Sequence, residues 1–163
     1  MPRAIHPLRC HSANYLMPMN HTVDSNSLLN PLARLKQQLP PHVWLLLAFY
    51  FIGSLVHFAH NAQYIAFYPN MPAWLTPGDV YLVWLAISAF AVAGLLMLSL
   101  GWTAIGILLV AVYGALGLDG LGHYWLALCS EHTLAANLTI GAEAASGLLL
   151  MLASLRWLWR WRR

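Results

Sequence analysis

The chain has 163 residues, of which 60% are hydrophobic and 8% charged, with a formal net charge of +3. Soluble domains carry roughly 25% charged residues and disordered chains are polar, so both classes are excluded. The basic residues flank apolar segments instead of mingling with polar and aromatic base readers, which excludes a nucleic-acid surface and makes the lipid bilayer the expected partner.

Residues 1–40 contain Pro, Asn, Ser and His but no apolar core of a cleavable signal peptide. They read as a disordered cytoplasmic tail. Its histidines, His6, His11 and His21, read as solvated, and Met17 and Met19 are alternative starts that would make residues 1–18 an upstream extension. Residues 41–157 read as a transmembrane domain, followed by a basic cytoplasmic C-terminus at 158–163.

Four apolar segments follow in order: Val43–Tyr68, Asp79–Leu100, Thr103–Leu126 and Thr133–Leu155. Each can cross about 30 Å of hydrocarbon, which takes roughly 20 helical residues. In lipid the backbone must satisfy itself, and without period-2 alternation that means helices. The predicted fold is all-α, a four-helix transmembrane bundle.

The breaks have their own chemistry. Pro69 and Pro72 end the first span. Thr76, Pro77 and Asp79 form a capping box with proline at the first helical position. Gly101 marks a tight turn. Between the third and fourth spans, Ser130 is the candidate N-cap and Glu131 suits the positive helix end. Cys10 and Cys129 support neither a disulfide framework nor a CxxC metal site.

Arg34 and Lys36 precede the first span, Arg156, Arg160, Arg162 and Arg163 end the fourth, and no Lys or Arg lies between. Both termini are therefore expected in the cytoplasm of a bacterial inner membrane, with the 69–78 and 127–132 loops outside. Trp44, Trp102, Trp157, Trp159 and Trp161 then fall at the inner interface, and Trp74 and Trp125 at the outer one. The stretches Gly94–Trp102 and Gly147–Trp157 echo each other, as two duplicated helical hairpins would.

Ionisable residues inside spans cost several kcal/mol and are functional candidates by default. At about 1.5 Å per residue, His57 and Glu143 lie roughly 15 Å from the outer ends. On the same scale His60 and Asp119 lie roughly 10–12 Å deep and His123 about 5 Å deep. All share the outer half, although they come from three spans. At 100° per residue, Tyr50, Ser54, His57, His60, Asn61, Tyr64 and Tyr68 fall on one stripe. Asp119 and His123 share a face one turn apart. His132, Thr139, Glu143 and Ser146 share a face if the fourth helix starts by about residue 131. Gly114, Gly117 and Gly120 suit close helix approach.

Three imidazoles and two carboxylates form a nitrogen and oxygen set that suits Zn, Fe, Mn or Cu(II), and four-helix bundles commonly hold such sites. The leading expectation is a transition-metal site with His57, His60, Asp119, His123 and Glu143 as ligands, catalytic or metal-handling. Asn61, Tyr64 and His132 would support it. A first alternative is a haem b protein in quinone-linked electron transfer, with His57 or His60 facing His123 as axial ligands. A second is a proton- or ion-coupled carrier or a structural membrane subunit. Four spans are few for a carrier monomer, so that reading requires a homo-oligomer or other membrane subunits. With no GxSxG motif and no P-loop, covalent hydrolysis and nucleotide chemistry are not expected.

The signatures His57-Phe-Ala-His60-Asn61-Ala-Gln-Tyr64-Ile-Ala-Phe67-Tyr68-Pro69-Asn70-Met71-Pro72 and Gly117-Leu-Asp119-Gly-Leu-Gly-His123-Tyr124 resemble those of small four-helix proteins of bacterial inner membranes. The resemblance covers most of residues 40–155. It implies the fold and the membrane and no particular activity. Asp119-x-x-x-His123 is also similar to the metal-binding span of the particulate methane monooxygenase membrane subunit. There the downstream His spacing differs from that of His132, and no function is implied.

Overall fold

The computed structural model describes residues 30–163. The expectations for the 1–29 tail, including His6, His11, His21, Cys10 and the alternative starts, lie outside the described residues. The helices are α1 (Pro31–Gln38), α2 (Pro41–Gln63), α3 (Pro77–Ser99), α4 (Thr103–Leu116), α5 (His123–Leu126) and α6 (Leu134–Trp161). Four stretches are long and apolar enough to cross a membrane: Pro41–Gln63, Pro77–Ser99, Thr103–Leu126 and Leu134–Trp161. This is an all-α, multi-pass membrane protein.

The last part of the expected tail is helical. Asn30 Oδ1 accepts from the Ala33 N–H and so caps α1, which packs on α3. Pro41 then opens α2 at its first position, where a missing N–H costs nothing. The predicted box forms as expected: the Thr76 N–H donates to Asp79 Oδ2 at 2.9 Å, and the Asp79 N–H to Thr76 Oγ1 at 3.3 Å. At the other end of α3, the Gly101 N–H reaches the Leu98 carbonyl and the Trp102 N–H that of Met97. That double closure needs a left-handed residue, and Gly101 supplies it at φ 88°.

Three boundaries differ from the sequence reading. The first helix ends at Gln63 rather than Tyr68; a 3-10 turn at Ile65–Phe67 folds Tyr68 back toward it. The third span is interrupted, with Gly117–Gly122 tightening into a 3-10 helix between α4 and α5. The fourth helix is capped by Thr133, whose side chain accepts from the Ala136 N–H. Ser130 is not the cap, because Cys129–Glu131 forms its own 3-10 turn, closed by Glu131 Oε2 on the Leu128 N–H at 2.7 Å.

α2 packs on α3, α3 on α4, α4 on α6 and α6 on α2, which closes a four-helix ring. Lipid tails are as apolar as Leu, so in a membrane close van der Waals contact must hold helices together. Glycines provide it. A Cβ on Gly106 would lie 2.8 Å from the Gly94 carbonyl oxygen, and one on Gly114 would lie 2.7 Å from that of Gly147. Both echoed glycines, Gly94 and Gly147, are thus points of helix contact. The outward stripe of α2, Leu45, Phe49, Ile52 and Val56, is exposed, while Val43, Leu47, Tyr50, Ser54, His57 and Asn61 are buried. Large exposed tryptophans stand at both ends of the bundle, Trp102, Trp159 and Trp161 at one and Trp74 and Trp125 at the other.

Candidate acid–base centre

The polar residues gather at the end of the bundle that carries the 64–76 and 127–133 connections, called here the loop end. His57 and Glu143 are each 1% exposed. They face each other from α2 and α6, with His57 Nε2 3.4 Å from Glu143 Oε2. The glycine of the 3-10 segment makes room for them: a Cβ on Gly120 would lie 2.9 Å from Glu143 Oε2.

The hydrogen bonds fix where the protons sit. The Thr139 hydroxyl donates to the Ala136 carbonyl at 3.0 Å, so its oxygen is free to accept. His57 Nδ1 is 3.2 Å from that oxygen and must carry the proton. The Nε2 of neutral His57 is then a lone pair, and it accepts from Asn61 Nδ2 at 3.0 Å. The same amide nitrogen lies 3.2 Å from His123 Nε2. Asn61 therefore spends one N–H on each imidazole, which also sets the orientation of its amide. Asn61 Oδ1 and both Glu143 carboxyl oxygens are buried without a hydrogen-bond partner. The buried Ser54 hydroxyl lies beside that carboxyl.

A cavity of about 210 Å³ joins these groups. His57, Asn61, Asp119, His123 and Glu143 line it together with the apolar Phe58, Leu75 and Val83. Four of the five expected ligands thus share one cavity. His60 does not: its Nδ1 lies 2.7 Å from the Tyr68 hydroxyl, and it lines a separate cavity with Tyr64 and His132. Tyr64 is exposed, beyond the end of α2, and its ring stands 4.8 Å from that of His60. His132 precedes the cap of α6, outside the helix face assigned to it, and its Nδ1 lies 3.0 Å from the Leu128 carbonyl.

Asp119 is exposed at the cavity rim rather than buried in the bundle. Its segment turns every three residues, so the i, i+4 stacking on His123 expected of an α-helix does not arise. Among the described residues, no group of three or more His, Cys, Asp or Glu side chains is assembled to hold a metal ion. The Asn61 amide nitrogen instead lies between the His57 and His123 Nε2 atoms, at 3.0 and 3.2 Å. Thr139 and Tyr68 were not among the predicted site residues. The sequence placed Thr139 on the Glu143 face and Tyr68 on the His57 stripe without giving either a role; Thr139 lies in that helix as read, whereas Tyr68 lies past the helix end at Gln63 and reaches His60 by way of a 3-10 turn.

Comparison with protein-family models, with curated proteins and with solved structures returned no match.

Proposed function

We propose that the protein is a proton-coupled membrane protein in which Glu143 and His57 bind and release one proton, with His123 as the next base toward the loop end. The observation that carries this reading is the 3.4 Å approach of Glu143 Oε2 to a His57 nitrogen that holds a lone pair. Two acceptors facing each other in a buried site are repulsive, and a single shared proton makes them attractive. In one state the proton is on Glu143 and the Nε2 lone pair accepts from Asn61. In the other the Asn61 N–H turns away and the proton moves to Nε2, leaving a carboxylate beside an imidazolium. Asn61 holds both imidazoles in the orientation that keeps their Nε2 atoms inward.

The orientation follows the charge asymmetry: we place both termini in the cytoplasm and the loop end outside, in a bacterial inner membrane. A reporter fused after Arg163 reads cytoplasmic and one inserted at Ser130 reads external; the reverse pattern refutes it.

The test of the centre is pH-dependent infrared difference spectroscopy on protein in lipid. A protonated-carboxyl stretch should be present, vanish in Glu143→Gln and shift in His57→Gln. Absence of any exchangeable carboxyl band overturns the reading.

A second reading has one specific observation behind it. A divalent transition metal, Zn, Fe, Mn or Cu, would answer the same juxtaposition of lone pairs, with His57, His123 and Glu143 as ligands and Asp119 at the rim. It requires the Asn61 amide to swing away from the two Nε2 atoms. Elemental analysis of protein purified without a His-tag decides: stoichiometric metal, lost in both His57→Ala and Glu143→Gln, supports this reading over proton exchange. Haem has less support, because the Asn61 nitrogen within 3.2 Å of both imidazoles leaves no gap for a macrocycle between them. A Soret band in the same preparation would reverse that judgement.

A further inference from the structure

The Gly101 end of the bundle gathers positive charge with nothing to balance it. Arg156 and Arg160, one turn apart on α6, are both exposed. They line one small cavity, of about 60 Å³, together with Pro40, His42, Ala153 and Trp157. Pro40 and His42 bring the start of α2 to that cavity, and this helix start has no side-chain cap. A helix start carries roughly half a positive charge, and like charges one turn apart on a helix repel. No carboxylate answers them. Asp79, Asp119, Glu131 and Glu143 all belong to the loop end or the acid–base cavity, and among the described residues neither arginine has an ion-pair partner.

The missing group is an anion of phosphate size. The cavity volume is several times the roughly 10–15 Å³ that one water needs. Guanidinium forks pair with phosphate oxygens two at a time, and the His42 ring keeps an N–H to give in either protonation state.

The surroundings say that the phosphate belongs to a lipid. On α6, Leu149 and Leu152 precede Arg156 at helical spacing, and both are exposed. On α2, His42 heads the outward stripe of Leu45, Phe49, Ile52 and Val56. The two helices pack on each other, and a Cβ on Gly53 would lie 3.3 Å from Ser146 Oγ. Gly53 and Ser146 each lie roughly 15 Å along their helix from the cavity. The two apolar stripes therefore begin at one level and run down the bundle together. Exposed Trp159 and Trp161 mark that level as a membrane interface.

We propose that this cavity holds the phosphate of an anionic phospholipid, gripped by Arg156 and Arg160, with acyl chains along the Leu45 and Leu152 stripes. Basic pockets between spanning helices suit acidic headgroups. A zwitterionic lipid has the same phosphate but carries its ammonium into the same positive field and is disfavoured. The orientation proposed above puts the site in the cytoplasmic leaflet, and the site is the same in either orientation. Arg162 and Arg163 supply a control: they carry equal charge at the same helix end and line no part of the cavity. Arg163 stacks over the Trp159 ring instead, at 3.7 Å.

The test is native mass spectrometry of the full chain in detergent, titrated with phosphatidylglycerol or with phosphatidylcholine of the same acyl chains. The first phosphatidylglycerol should bind roughly tenfold tighter than the first phosphatidylcholine. Arg156→Gln combined with Arg160→Gln should erase that preference. Arg162→Gln combined with Arg163→Gln removes the same charge and should keep it. Ala153→Leu fills the cavity while leaving both arginines, and should also erase it, which keeps the test valid if the first pair disturbs α6. Excess inorganic phosphate should not displace the lipid. Equal losses from the two arginine pairs mean a diffuse basic field and overturn the proposal. Displacement by inorganic phosphate means a free-anion site, and equal affinity for the two lipids means no charge recognition; each also overturns it. No outcome touches the infrared signal of Glu143, so the two sites stand or fall separately.

Discussion

The two ends of the bundle are built on opposite principles. At the Gly101 end, Leu39, Val43, Leu98, Ile107, Val110 and Leu150 are closed to the outside, and Gly94 meets Gly106 backbone to backbone. At the loop end, the same four helices enclose two cavities and leave the Glu143 carboxyl, Asn61 Oδ1 and His132 Nε2 buried and unpartnered. Glycine serves both ends differently. At Gly94, Gly106, Gly114 and Gly147 the missing side chain lets backbone touch backbone. At Gly120 it admits the Glu143 carboxyl instead. The Gly101 half also holds a cavity, of about 280 Å³ between Trp44, Leu47, Phe51, Leu95 and Tyr113, and buried unpartnered hydroxyls on Ser88, Tyr113 and Ser154, but no carboxylate or imidazole lines that cavity. What separates the ends is the close backbone contact at one and the facing carboxyl and imidazoles at the other.

The sharpest way to break this division is to overfill the tight region. A Cβ on Gly147 would lie 2.5 Å from the Gly114 carbonyl oxygen and 3.1 Å from Gly117 Cα. Backbone cannot yield as a flexible side chain can, so α4 and α6 must separate. Gly147→Val is expected to cost about 3 kcal/mol, read as a large fall in the melting temperature in detergent. An unchanged melt would show that the α4–α6 contact does not hold the bundle.

Next in size is removal of closed-end volume. Leu98 is 0% exposed and Leu149 is 54% exposed on the lipid side. Leu98→Ala should cost about 2–4 kcal/mol, because its fully buried side chain packs against Gly106 and its loss leaves a cavity. Leu149→Ala should cost about 0.5 kcal/mol or less. Similar losses at both positions would mean that burial inside the bundle is not what distinguishes the two faces.

Glu143→Gln sharpens the other side of the comparison. It keeps the volume and removes the demand for a shared proton. The expected stability change is within about 1 kcal/mol, since neutral replacements for buried ionisable groups are often tolerated. The infrared carboxyl band should nevertheless disappear. A collapse of stability comparable to that of Gly147→Val would make Glu143 a structural element rather than a functional one.

Much of this division is legible in the sequence. The spans follow from apolar length, the α3 cap from Thr76-Pro77-x-Asp79, and the convergence of His57, Asn61, His123 and Glu143 from depth and helical facing. Those arguments hold where the chain is regular. They lose accuracy where it is not. The glycines of Gly117–Gly122 permit close approach, as read, but they also tighten the span to three residues per turn, which brings Asp119 to the rim. Tyr68 and His132 each follow a short 3-10 turn, and a helical wheel drawn through them assigns the wrong face. Whether His60 shares a centre with His57 depends on such a turn, because Tyr68 folds back to claim it. Proton positions were beyond the sequence altogether, since they follow from which oxygen each ring nitrogen meets.

The smallest expected effect belongs to a polar group at the loop end that takes no part in either cavity. Thr76 and Asp79 satisfy each other and the first turn of α3, and neither lines either cavity. If the loop end were functional merely because it is polar, disturbing this cap would disturb the chemistry. If function resides in the facing carboxyl and imidazoles, the cap is a local device. Thr76→Ala should then cost about 1 kcal/mol through one lost acceptor for the Asp79 N–H. Asp79→Asn should cost less still, because an amide oxygen can keep accepting from the Thr76 N–H. In both variants the Glu143 carboxyl band and its pH response should match the unaltered protein. A shifted band in Asp79→Asn would mean that the start of α3, whose Val80 and Val83 line the acid–base cavity, transmits its position to the proton site. The line between the holding and working parts of the bundle would then have to be drawn one turn deeper into α3.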